Sequence, residues 1–184
     1  MRDISLHILD IAENSIRAKA KLVQIKLYED KDQMRFEIID DGVGMDGELL
    51  KMVLDPFFTT KDERKKKFGL GLPLLKQNVE QSDGKFKIES KKGEGTKIFF
   101  SINKNHIDAL PLGNLEETLW ILMTVYEGVD ILFTYEKNGK TLKIDSRELK
   151  EVFKGLNLSD AQVTGYVKQF IKENLNSIKN QEAL

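Results

Sequence analysis

The run Gln33-Met34-Arg35-Phe36-Glu37-Ile38-Ile39-Asp40-Asp41-Gly42-Val43-Gly44-Met45 decides how the rest of the chain is read. Met34, Phe36 and Ile38 alternate with Gln33, Arg35 and Glu37, the period of a strand with one face buried. That strand runs into two acids and a glycine-bearing loop, where backbone can approach a ligand closely or take positive φ. An aspartate at such a strand end can accept a hydrogen bond from an exocyclic amine.

Working outward, residues 22–29 (LVQIKLYE) alternate in the same way, and EDKD between the two runs is a polar turn. Before them, residues 3–20 read as an amphipathic helix. Ile4, Ile8, Ile11 and Ser15 recur on one face, and Asp10, Asn14 and Arg17 place a carboxylate, an amide and a guanidinium on another. After the loop come a short helical candidate at 46–53 and a polar stretch from Asp55 to Phe68 without an apolar period, of the kind that serves as a mobile cover. Phe68-Gly69-Leu70-Gly71-Leu72-Pro73 then opens a helix expected to end near Ser82, and the free amides and dipole of its first turn suit a phosphate. Strands at 84–90 and 96–102 complete an α+β unit, a two-layer α/β sandwich spanning residues 1–104.

Residues 105–113 break both periodicities, contain Pro111 and Gly113, and read as a linker. Residues 114–184 form a small α+β domain or an extension of the first sheet. A helix is expected at 114–127, a hairpin pairs 130–136 with 141–145 across Asn138-Gly139, and helices follow at 146–154 and 159–178, the last capped by Ser159 and Asp160. Trp120, Phe133, Phe153 and Phe170 would supply its core.

Composition narrows the chemistry. The 184 residues carry 29 basic and 30 acidic side chains, a net charge of −1, so no global field holds a nucleic-acid backbone. Without cysteine, and with His7 and His106 as the only histidines, there is no disulfide, thiolate zinc site, iron–sulfur cluster or histidine metal cage. A metal, if used, is a hard cation held by oxygens. The first residues carry acids through their apolar positions, unlike a signal peptide, and no apolar run is long enough to span a bilayer. The expectations are a cytoplasmic protein that binds neither nucleic acid nor membrane.

Each of these elements alone has an ordinary structural explanation. Together and in this order, with Asp55-Pro56-Phe57-Phe58-Thr59-Thr60-Lys61 before the glycine pair and Gly93-Glu94-Gly95-Thr96 before the last strand, they resemble the nucleotide-binding boxes of the GHKL superfamily, the Bergerat-fold ATP-binding domains of gyrase, the ninety-kilodalton heat-shock chaperone, histidine kinases and mismatch-repair ATPases.

The resemblance implies ATP and Mg²⁺ as cofactors, with Asn14 as the metal ligand and Arg17 near the phosphates. Asp40 would recognise the adenine amino group, Gly42 and Gly44 would admit the base, Met45 would line its pocket, and Thr96 would reach the base directly or through water. Gly69, Leu70, Gly71 and Leu72 would fold over the triphosphate, helped by Lys61 and at least one residue of Arg64-Lys65-Lys66-Lys67. Asp10, four residues before Asn14, stands where the hydrolytic branches place the general base, with aspartate in place of their glutamate. The chain is thus expected to be a weak ATPase or a protein kinase in signalling, with a protein partner or phosphoacceptor. The alternative is a non-catalytic ATP-gated switch that binds a protein through its lid or its carboxy-terminal unit. No phosphoacceptor hairpin stands before the first helix, which argues against autophosphorylation.

Overall fold

The computed structural model describes residues 2–55 and 70–179. Helix α1 (Ile4–Arg17) is capped by Asp3, whose carboxylate accepts the Leu6 amide at 3.0 Å. Strands β1 (Leu22–Glu29) and β2 (Gln33–Asp40) follow, with the limits their alternation predicts. Next come α2 (Gly47–Val53), α3 (Gly71–Gln81), β3 (Phe86–Lys91) and β4 (Gly95–Asn103). The chain continues through α4 (Leu115–Thr124), β5 (Asp130–Lys137), β6 (Lys140–Asp145), α5 (Ser146–Val152) and α6 (Thr164–Lys179). None of the described helices is long and apolar enough to cross a membrane.

The strands form one six-stranded sheet in the order β3-β4-β2-β1-β5-β6, with β1 and β5 parallel and every other neighbouring pair antiparallel. Register explains the two layers. Ile88, Ile98, Ile38, Ile25, Phe133 and Ile144 stand side by side across the sheet, as do Phe86, Phe100, Phe36, Leu27 and Tyr135. These rows share one face, whose apolar surface is removed from water beneath the helices. The opposite face is mixed, with Ile39, Phe99 and Leu132 among polar residues; there Lys97 pairs with Glu37 at 3.3 Å. The fold is the α+β sandwich expected.

Residues from both sides of 105–113 share this sheet and one hydrophobic cluster. The 105–113 segment also lies along α1: the Ile4 and Ser5 amides donate to Pro111 and Leu112 at 3.0 and 2.9 Å. Helix α4 packs on α1 and α6, and Thr118 Oγ1 donates to the Ser5 carbonyl at 3.2 Å.

Several boundaries differ from expectation: β3 starts at Phe86 and not 84, α4 ends at Thr124 and not 127, α5 ends at Val152 and not 154, and two further differences have a visible cause. Helix α1 stops at Arg17 instead of residue 20, because Lys19 takes a left-handed conformation (φ 62°) and the Ala18 carbonyl is claimed by the Val43 amide at 2.9 Å. Helix α6 begins at Thr164, so Ser159 and Asp160 are not its caps. Asp160 instead turns its carboxylate back to the Asn157 amide at 2.8 Å, organising the turns ahead of the helix.

Candidate functional site

The alternation of β2 delivers Asp40 to the buried face at the strand's last position, opposite Thr96 on β4 and Val23 on β1. Only 8% of Asp40 is exposed. Its Oδ2 accepts the Ser15 hydroxyl at 2.7 Å, and its Oδ1 accepts the Gly42 amide at 2.9 Å. A carboxylate held this way keeps unused lone pairs aimed into the space above it.

That space is a cleft of about 580 Å³ between α1, α2, the start of α3 and the ends of β2 and β4. Its polar lining is Asn14, Ser15, Arg17, Asp40 and Thr96; Ile11, Val43, Met45, Leu49, Leu72 and Ile98 give it apolar walls. An apolar slot with a few convergent polar groups is the usual form of a small-molecule site.

The loop after β2 reaches the cleft because Gly44 adopts φ +62° and lies so close to β3 that an added Cβ would fall 2.0 Å from the Lys91 carbonyl. Ser90 pins the same loop: its hydroxyl donates to the Gly95 carbonyl at 2.9 Å and accepts the Met45 amide at 2.8 Å. With that proton committed, Thr96 Oγ1, 2.9 Å away, donates to Ser90 and turns its acceptor capacity outward.

On α1, Arg17 Nη2 donates to Asn14 Oδ1 at 2.8 Å, and Asn14 Nδ2 donates to Asp10 Oδ2 at 3.3 Å. The predicted stripe is therefore one connected polar chain. Burial raises the pKa of Asp10, with the Arg17 charge opposing. Its carboxylate abuts α3, where a Cβ on Gly71 would sit 1.8 Å from Asp10 Oδ2, so a larger residue there would push the carboxylate aside.

The structure thus gathers Asn14, Arg17, Asp40, Gly44, Met45, Leu72 and Thr96 around one cleft; Gly42 donates to Asp40, and Asp10, not itself a lining residue, bonds Asn14 and abuts Gly71. Leu70 departs from the expectation. It is 53% exposed and borders a separate groove of about 260 Å³ with Leu54, Pro73 and Leu74. Lys61, Gly69 and the Arg64–Lys67 run lie outside the described residues.

Sequence reading missed Ser15 and Ser90. Ser15 had a signal, since a hydroxyl at the helical spacing of Ile4, Ile8 and Ile11 is carried into the core and must find a partner there. Ser90 is brought to Met45 only by the fold.

His7, on α1, is fully buried against α3. Asn78 Nδ2 donates to its Nε2 at 3.1 Å, and Nδ1 is buried without a protein partner among the described residues. Burial lowers its pKa from 6.5 to about 4. The unfolded chain therefore holds more protons here than the native one between those values, so native stability falls as pH drops from 6.5 to 4. Urea unfolding of a His7→Gln variant is expected to be less steep in pH across that window; equal slopes would mean that the ring is hydrated.

Comparison with known proteins gives the family. The family model described as "Histidine kinase-, DNA gyrase B-, and HSP90-like ATPase" matches residues 2–106. The sensor protein KdpD of Clostridium acetobutylicum is 35% identical over 108 residues, covering 56% of this chain and 12% of that protein. Sporulation kinase C of Bacillus subtilis is 36% identical over 90 residues, covering 48% and 20%. The chain therefore spans only a minor part of the length of these relatives. A solved structure of the N-terminal domain of a DNA repair protein shares the fold, with a TM-score of 0.55 and 13% identity over 97% of this chain and 57% of that one. Because the matched segment exceeds half of the 184 residues and contains every strand and helix that borders the cleft, the chain belongs to the histidine kinase-, DNA gyrase B- and HSP90-like ATPases, with residues 2–106 as its ATP-binding domain.

Proposed function

We propose that the chain binds ATP with Mg²⁺ and transfers the γ-phosphate, to water as a weak ATPase or to a protein acceptor as a signalling kinase. The observation that carries this reading is the position of Asp10. It is a half-buried carboxylate bonded to Asn14 on the same helix face, pressed against the first turn of α3, and raised in pKa by burial. A base so placed suits abstraction of a proton from an attacking water or hydroxyl. Asp40 would accept from the adenine amino group, Thr96 would face the base, Met45 and Leu72 would wall it, and Arg17 would meet phosphate.

The donor set fits Mg²⁺. Asn14 Oδ1 already accepts from a cationic group, and among the described residues no cluster of three or more acidic or histidine side chains could cage a metal. Mg²⁺ would thus be held by Asn14, phosphate oxygens and water, the mixed shell this ion favours, and would neutralise developing phosphate charge.

Incubation with γ-labelled ATP and Mg²⁺ tests the reading. Release of free phosphate that drops by about 10²–10⁴-fold in Asp10→Asn identifies hydrolysis with Asp10 as base. Label on a co-purified protein identifies a kinase. Saturable binding of ATP that stays intact identifies instead the nucleotide-gated switch. That second reading is favoured by the hydrogen bonds joining α1 to residues 111–118, through which nucleotide binding could bias a partner-binding state.

A further inference from the structure

Glu13 stands four residues before Arg17 on α1, the order and spacing at which an acid and a base pair best on a helix. In the structure the two are separately engaged. Tyr126, just beyond α4, donates its hydroxyl to Glu13 Oε1 at 2.7 Å. Arg17 meets Asn14 Oδ1 and lines the cleft.

We propose that Tyr126 is a positioning residue of the nucleotide site: by holding Glu13 it keeps that carboxylate from closing an ion pair with Arg17, and so leaves the guanidinium donors not engaged by Asn14 available to phosphate. A hydroxyl bonded to a carboxylate at a half-buried seam outcompetes an ion pair on an exposed helix surface, so Tyr126 prevails while it is in place. It is also the contact nearest the cleft in a series that runs along α1, after Pro111 and Leu112 on Ile4 and Ser5 and Thr118 on the Ser5 carbonyl. A shift of α4 against α1 that withdraws Tyr126 would hand Glu13 to Arg17 and weaken triphosphate binding. Residues 105–179 would thereby control a site to which, among the described residues, they contribute no lining side chain. The inference rests on the proposal that Arg17 faces phosphate.

The test is calorimetric titration of a non-hydrolysable ATP analogue and, separately, of adenosine, into the full chain with Mg²⁺. The proteins are wild type, Tyr126→Phe, Glu13→Gln and the double variant. Tyr126→Phe is expected to weaken the triphosphate by about two- to five-fold, the scale of one exposed ion pair, and to leave adenosine unchanged. The double variant should regain wild-type triphosphate affinity, because a neutral glutamine cannot act as counter-ion to Arg17. Unaltered triphosphate affinity in Tyr126→Phe, equal losses for both ligands, or no recovery in the double variant would each overturn the proposal while leaving the cleft assignment standing. A wild-type chain that binds neither ligand, or adenosine as tightly as the triphosphate, would remove the reading of the cleft and this proposal with it.

Discussion

Asp40→Asn is expected to weaken adenine-nucleotide binding by about 1.5–3 kcal/mol, the scale of losing one charge-assisted hydrogen bond. The substitution keeps shape. An asparagine at position 40 can still accept the Gly42 amide through its oxygen and donate to Ser15, whose hydroxyl oxygen has capacity to accept. What disappears is the carboxylate lone pair facing the cleft, so affinity falls while the loop stays in place. Titration calorimetry beside a thermal melt separates the two effects. Unchanged affinity in a folded variant would take Asp40 out of base recognition.

Phe100→Ala should be the most damaging of the substitutions considered for stability, at about 3–5 kcal/mol. Phe100 and Phe36 are fully buried, and their rings stack with centroids 4.6 Å apart and planes 13° from parallel. Phe86 flanks them across β3. Truncation leaves a void in a core whose neighbours Phe36 and Ile102 are fully buried, so the space is not filled cheaply. For a chain of this size the corresponding fall in Tm is about 6–20 °C. Because one hydrophobic cluster runs from Ile4 to Ile178, a single unfolding transition is expected in wild type and variant alike. A loss below about 1 kcal/mol would mean that the aromatic row is loosely packed, and two separated transitions would mean that residues 114–184 unfold on their own.

Local pattern made much of this molecule legible. Strands β1 and β2 have the limits that alternation alone assigns, and the Asp10–Asn14–Arg17 stripe is bonded together as its spacing implies. Asp40, Gly44, Met45 and Thr96 converge because strand register is a two-residue code that one buried face fixes strongly. Contacts that depend on distant chain were not legible. Nothing near Tyr126 points to Glu13, and nothing in residues 130–137 announces a parallel pairing with β1, a partner about a hundred residues away in sequence. The start of α6 was misplaced for a different reason. Ser159 and Asp160 have capping chemistry, but Asp160 spends it on Asn157 within its own turn.

The parallel pairing of β1 with β5 bears on how the protein is made. Leu22 meets Asp130 and Glu29 meets Lys137, so one flank of β1 finds its neighbour only after about a hundred further residues have been added. At translation speeds of 5–20 residues per second that is a delay of roughly 5–20 s. During that interval the nascent chain presents an unpaired strand border beside the ribosome, and a chaperone that shields Val23, Ile25 and Leu27 would be most useful then.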